Sequence, residues 1–111
     1  MKTNIARLEK PLSNVNVSCK LTSPELQHRK KTVIANLQKQ VLERKELTDG
    51  YAYRFEGTDQ ILDELTTFIK MERMCCDFFD FKLSLNNDRS VWLELTGPAG
   101  TKDFIDVEIE L

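Results

Sequence analysis

Cys75 and Cys76 are adjacent, and Glu72 precedes them by four residues or fewer, with Arg73 in between. If one helix carries all four, positions three and four apart are neighbours on its surface, so one carboxylate and two thiols share a small area. Two chemistries compete for such a set. A nucleophilic cysteine needs its thiolate favoured by a helix N-terminus or by adjacent cations. These cysteines close their helix, where the dipole is negative, and Glu72 and Asp77 add charge of the same sign. The thiols are therefore expected to resist ionisation. A thiophilic cation such as Zn²⁺ or Cu(I) turns that environment into an advantage, because thiolate and carboxylate are its ligands. Metal or metalloid capture thus ranks above cysteine catalysis. Cys19 is the candidate third sulfur, Glu72 an oxygen ligand or base, and Arg73 the cation that orients it.

The elements around this set follow from periodicity. On a helical wheel advancing about 100° per residue from Ile61, the apolar residues Leu65, Phe68 and Ile69 fall in one arc, and Glu72, Cys75 and Cys76 fall in the same arc. Glu72 therefore sits in the middle of an apolar stripe, with one cysteine on either side of it. A buried carboxylate costs several kcal/mol unless paired or protonated. A structural pair with Arg73, Arg54 or Arg29, or with backbone N–H groups of the next turn, answers that cost without any ligand. A site built with the cysteines is the alternative. Adjacent cysteines on an intact helix point about 100° apart, so both reach one ion only if the helix ends there.

Gly57-Thr58-Asp59 starts this helix, and Thr22-Ser23-Pro24-Glu25 starts an earlier one, each with a hydroxyl to accept free N–H groups. Leu26, Val33, Ile34, Leu37 and Val41 form the first helix's stripe, predicting a helix to about Glu43. Alternation predicts strands at Asn14 to Leu21, with Cys19 inward, at Tyr51 to Phe55, at Phe79 to Leu85 and at Val91 to Leu95. Asp49-Gly50 reads either as the turn of a hairpin with Lys45 to Thr48 or as the close of a longer helix. After the Gly97-Pro98-Ala99-Gly100 turn, Thr101 to about Val107 is expected to be helical, although Ile105, Val107 and Ile109 also alternate. The predicted fold is a two-layer α/β (α+β) sandwich, comparable to ferredoxin-like sandwiches, with a mostly antiparallel sheet of four or five strands and helices on one face. Residues 1–12 read as an arm and 13–111 as a single domain.

Composition narrows the function classes. The 111 residues carry 16 Lys+Arg against 18 Asp+Glu, a net charge of −2, so no field draws a nucleic acid. His28-Arg29-Lys30-Lys31 lacks aromatic interleaving and reads as a solvated face. No run approaches the ~18 apolar residues of a membrane span, and Met1 to Leu8 lacks the apolar core of a secretory signal, so a cytoplasmic protein is expected. With three cysteines, two of them adjacent, a disulfide framework is not expected. The single His lies in the basic cluster and rules out a Ser/His/Asp set, so a binding protein is expected rather than an enzyme. Gly97 to Gly100 lacks the Gly-Lys-Ser/Thr of a phosphate loop.

The run Glu72-Arg73-Met74-Cys75-Cys76-Asp77-Phe78-Phe79-Asp80-Phe81, with Leu95-Thr96-Gly97-Pro98-Ala99-Gly100-Thr101-Lys102-Asp103-Phe104, resembles a family of small bacterial proteins of unknown function. Cys19-Lys20-Leu21-Thr22, Glu25-Leu26, Arg29 and Asp49-Gly50-Tyr51 extend the resemblance over about residues 15 to 105. This chain carries Asp77 where such sequences often carry Pro. The resemblance brings no activity, and it implies only that Cys19, Glu72, Arg73, Cys75 and Cys76 act as one unit.

The functional expectation is a thiol protein that binds a soft metal, with zinc as one example, or a metalloid. Two alternatives stand beside it. One is an interaction module with core cysteines that forms a homodimer through an exposed Phe78 and Trp92 patch. The other is a redox protein cycling a Cys75–Cys76 disulfide.

Overall fold

A computed structural model describes residues 23–111. The expected arm at 1–12, the strand at 14–21 and Cys19 lie outside the described residues. Helix α1 spans Pro24–Gln38, with Pro24 opening its first turn and the Ser23 hydroxyl accepting from Leu26 N. Helix α2 spans Asp59–Cys75, capped by Thr58 Oγ1, which accepts from Ile61 N at 3.1 Å. Between them run strands β1 (Glu43–Leu47) and β2 (Gly50–Glu56), and after α2 come β3 (Asp80–Leu85) and β4 (Ser90–Thr96). The described strands form one antiparallel sheet in the order β1-β2-β4-β3. The described residues thus run twice through helix-strand-strand, and the second strand of each pass meets the other at the sheet's centre.

Both readings of Asp49-Gly50 are now decided in favour of the hairpin, since Leu47 pairs with Gly50. Glycine is demanded there by β4, because a Cβ on Gly50 would stand 1.8 Å from the Leu95 carbonyl oxygen. The first helix stops at Gln38 rather than near Glu43. Gln40 N turns back to Leu37 O at 2.9 Å and Leu42 N bonds Arg54 O at 2.8 Å, so sheet pairing takes the residues that the helical stripe would have used.

Alternation works as expected in the central strands. Tyr51, Tyr53 and Phe55 face Leu95, Leu93 and Val91 in register, all buried, and α1 and α2 cover them with Ile34, Leu37, Ile61, Leu65 and Phe68. The opposite face carries Arg54, Trp92, Glu94 and Lys82, none of them buried. The helices therefore lie on one face, and the fold is a two-layer α+β sandwich. The last element, α3 (Thr101–Phe104), continues as a π-helical turn over Ile105–Ile109, closed by Glu110 N to Ile105 O at 2.7 Å. Ile105 and Ile109 are buried while Val107 is exposed, a spacing of four that rejects the strand alternative.

The expected Phe78 and Trp92 patch does not form. Phe78 is buried edge-on to Phe104, with ring centroids 5.1 Å apart, because the chain turns after Cys76 and brings Phe78 onto the last helix. Trp92 is half-buried on the other face of the sheet, under Lys45.

Candidate metal or metalloid site

Glu72 and Cys75 occupy the last turn of α2, three residues apart on its buried face. Cys76 leaves the helical path at φ −128° and ψ 77°, its N–H still bonded to Glu72 O at 2.7 Å. That departure removes the divergence that neighbouring side chains have on an intact helix. The two sulfurs stand 3.5 Å apart. One carboxylate oxygen of Glu72 and the two sulfurs all lie within 4.8 Å of one another, and the three residues have no exposed surface.

The cation at this site comes from α1. Lys30 Nζ lies 3.3 Å from Glu72 Oε2 and 3.8 Å from each sulfur, so one ammonium touches all three groups. The expected orienter, Arg73, is exposed, as is Arg29, and Arg54 pairs with Glu43 at 3.2 Å. This corrects two expectations at once. Arg73 points to water because it sits next to the buried stripe of α2 rather than in it. Lys30 belongs to no solvated face: it precedes Ile34 by four residues and Leu37 by seven, on the stripe that packs against α2. That spacing was the signal, hidden by a run in which His28, Arg29 and Lys31 are indeed exposed.

Burial shapes the electrostatics. It pushes the Glu72 carboxyl above the ordinary carboxylate range, with Lys30 and the Cys76 thiol holding the rise down. Neither Glu72 oxygen has a hydrogen bond of good geometry among the described residues, and Lys30 meets it as a charge contact. The Cys76 thiol is pushed far above its ordinary 9.0, by burial first and the Glu72 charge second, against the pull of Lys30. A thiol of this kind is a poor nucleophile, and it becomes a ligand only when the incoming centre displaces its proton.

Around Gly97 to Gly100 the turn borders a hollow of about 340 Å³, which also receives Asp49 and Asp103. Lys102 there is paired with Glu46. Carboxylates in that hollow oppose an anion, in keeping with a structural turn.

Glu72, Cys75 and Cys76 are thus brought together, Arg73 is not, and Cys19 lies outside the described residues. Comparison with protein-family models, with curated proteins and with solved structures finds no match in any of the three.

Proposed function

We propose that this is a cytoplasmic protein that binds a thiophilic metal ion or metalloid through Cys75 and Cys76, with Glu72 beside them as an oxygen ligand or proton acceptor and Cys19 as a third sulfur. The observation that carries the reading is the distance of 3.5 Å between the two sulfurs. Two sulfurs bonded at about 2.3 Å to one tetrahedral zinc stand about 3.8 Å apart, so the pair needs only a small adjustment to hold one centre. A linear two-coordinate ion would need them about 4.6 Å apart. The thiol state of both cysteines supports a reducing compartment, and among the described residues no helix is long and apolar enough to cross a membrane.

The test titrates the reduced protein with zinc chloride and sodium arsenite while following melting temperature and titratable thiols. Binding to the native state raises stability by mass action, about 2.7 kcal/mol when ligand reaches a hundred times its dissociation constant. A saturable rise in melting temperature is expected, lost in Cys75→Ser and Cys76→Ser and weakened in Cys19→Ser. No rise with either ligand, together with thiols that react only after unfolding, would leave the cysteines as core packing.

A further inference from the structure

We infer that the Lys30 ammonium stands where an ion bound by Glu72, Cys75 and Cys76 would sit, so that loading the site with a divalent cation drives Lys30 out to the surface of α1. The inference rests on the dithiol reading above and adds to it how occupancy of the site is displayed outside it. Its basis is a single nitrogen in reach of every candidate ligand: Nζ lies 3.8 Å from Cys75 Sγ, 3.8 Å from Cys76 Sγ and 3.3 Å from Glu72 Oε2. The sulfurs are 3.5 Å apart, and a carboxylate oxygen of Glu72 lies within 4.8 Å of both. A centre bonded at about 2.3 Å to both sulfurs and turned toward that oxygen comes within about 3 Å of the place that Nζ fills. A protonated amine has three donors and no lone pair, so it can neither join the ligands nor tolerate a metal ion at that distance. One of the two has to move.

Net charge does not decide which. Each thiol proton leaves as its sulfur bonds to the ion, two protons for one divalent cation, so the sum of charges is the same before and after. Space decides, together with what each group can reach. Glu72, Cys75 and Cys76 have no exposed surface, whereas the Lys30 side chain is 11% exposed and ends a long flexible stem. The stem can stay buried while its charged end turns to water. Glu72 keeps a positive partner throughout, because the ion takes over the contact that the ammonium gives up. A departure of Lys30 with no incoming cation would strand a buried carboxylate, so Lys30 leaves only in exchange for one. Lys30 and Cys75 each have a further interaction beyond these, so the exchange involves more than the contacts with Glu72 and the sulfurs and is read on the Lys30 amine itself.

The reduced wild type is titrated with zinc chloride and pulsed with succinimidyl acetate, and acetylation of each lysine is followed by peptide mass spectrometry. Saturating zinc is expected to speed acetylation of Lys30 on the order of tenfold, while exposed Lys31 and Lys70 change by less than about twofold. The same titration of Cys76→Ser should leave Lys30 at one rate throughout. Zinc bound with both thiols consumed but Lys30 acetylated at its former rate would overturn the displacement while leaving a dithiol site. So would a protein that binds sodium arsenite and refuses zinc, since no cation then takes the place of the ammonium. A rise of equal size in Cys76→Ser would overturn it as well, by showing that zinc acts elsewhere. Failure of zinc and arsenite alike to bind the wild type would instead overturn the dithiol reading itself.

Discussion

Of the cation–carboxylate pairs that join elements distant in the chain, two sit in opposite settings. Lys30–Glu72 links α1 to α2 at 3.3 Å with side chains 11% and 0% exposed, whereas Arg44–Asp106 links β1 to the last helical turn at 2.9 Å with both side chains nearly half exposed. The shorter contact is the weaker constraint. Arg44 also lies over the Tyr51 ring, and Tyr51 Oη donates to Asp106 Oδ2 at 3.2 Å, yet water competes for every charge there. At Lys30 and Glu72 little water competes, so loss of one partner leaves the other charged and stranded. Solvent access, more than distance, decides what each pair does.

Breaking the buried pair is expected to have the largest effect. Lys30→Met should lower unfolding free energy by about 3 kcal/mol, read by urea denaturation at pH 7. Because burial raises the Glu72 pKa in the folded state, the folded protein holds that proton more tightly than the unfolded chain. The variant's deficit should therefore grow as pH rises above the ordinary carboxylate value of 4.5 and shrink below it. Lys30→Met/Glu72→Leu should recover most of the loss, since it removes the stranded charge as well. A deficit in Lys30→Met no larger than that of an exposed pair would erase the contrast.

A smaller effect comes from the thiol beside that pair. Cys76 ionises in the unfolded chain near its ordinary 9.0 but far higher in the fold, so stability should fall as pH rises through that value. Between pH 8 and 10 the loss should be about 1 kcal/mol, followed by thermal melts, and Cys76→Ala should flatten it. Tyr53, also raised by burial above its ordinary 10.0, adds to the loss only at still higher pH. An unchanged alkaline slope in Cys76→Ala would mean that the pocket does not isolate this thiol from water.

The exposed pair should matter least. Arg44→Met is expected to cost about 0.5 kcal/mol at low salt, and less as sodium chloride is added, in the same urea assay. A cost that matched Lys30→Met and ignored salt would show that the Tyr51, Asp106 and Arg44 cluster is sealed from solvent despite its surface.

Much of this arrangement is legible in local pattern. Ser23-Pro24 and Thr58 mark the starts of α1 and α2, alternation marks β2 and β4, and the wheel from Ile61 brings Glu72, Cys75 and Cys76 together. These signals concern residues within a few positions of one another, whose mutual geometry the helix or strand period supplies. Other decisions were not local. The stop of α1 at Gln38 depends on β1 pairing with β2, and the burial of Phe78 depends on Phe104, twenty-six residues later.

The same division separates the parts of the site. By itself the sequence determined that a carboxylate and the Cys75 sulfur share one face at the end of α2, with Cys76 next in the chain, because a period of 3.6 residues makes positions three apart neighbours. Only the tertiary structure decided which cation meets them and how closely the sulfurs approach. Lys30 is chosen over Arg29, Arg54 and Arg73 by the packing of α1 on α2, and Cys76 turns toward Cys75 because the helix ends where the chain must enter β3. Those outcomes depend on side chains distant in sequence filling one dry space, which periodicity along a single segment does not encode.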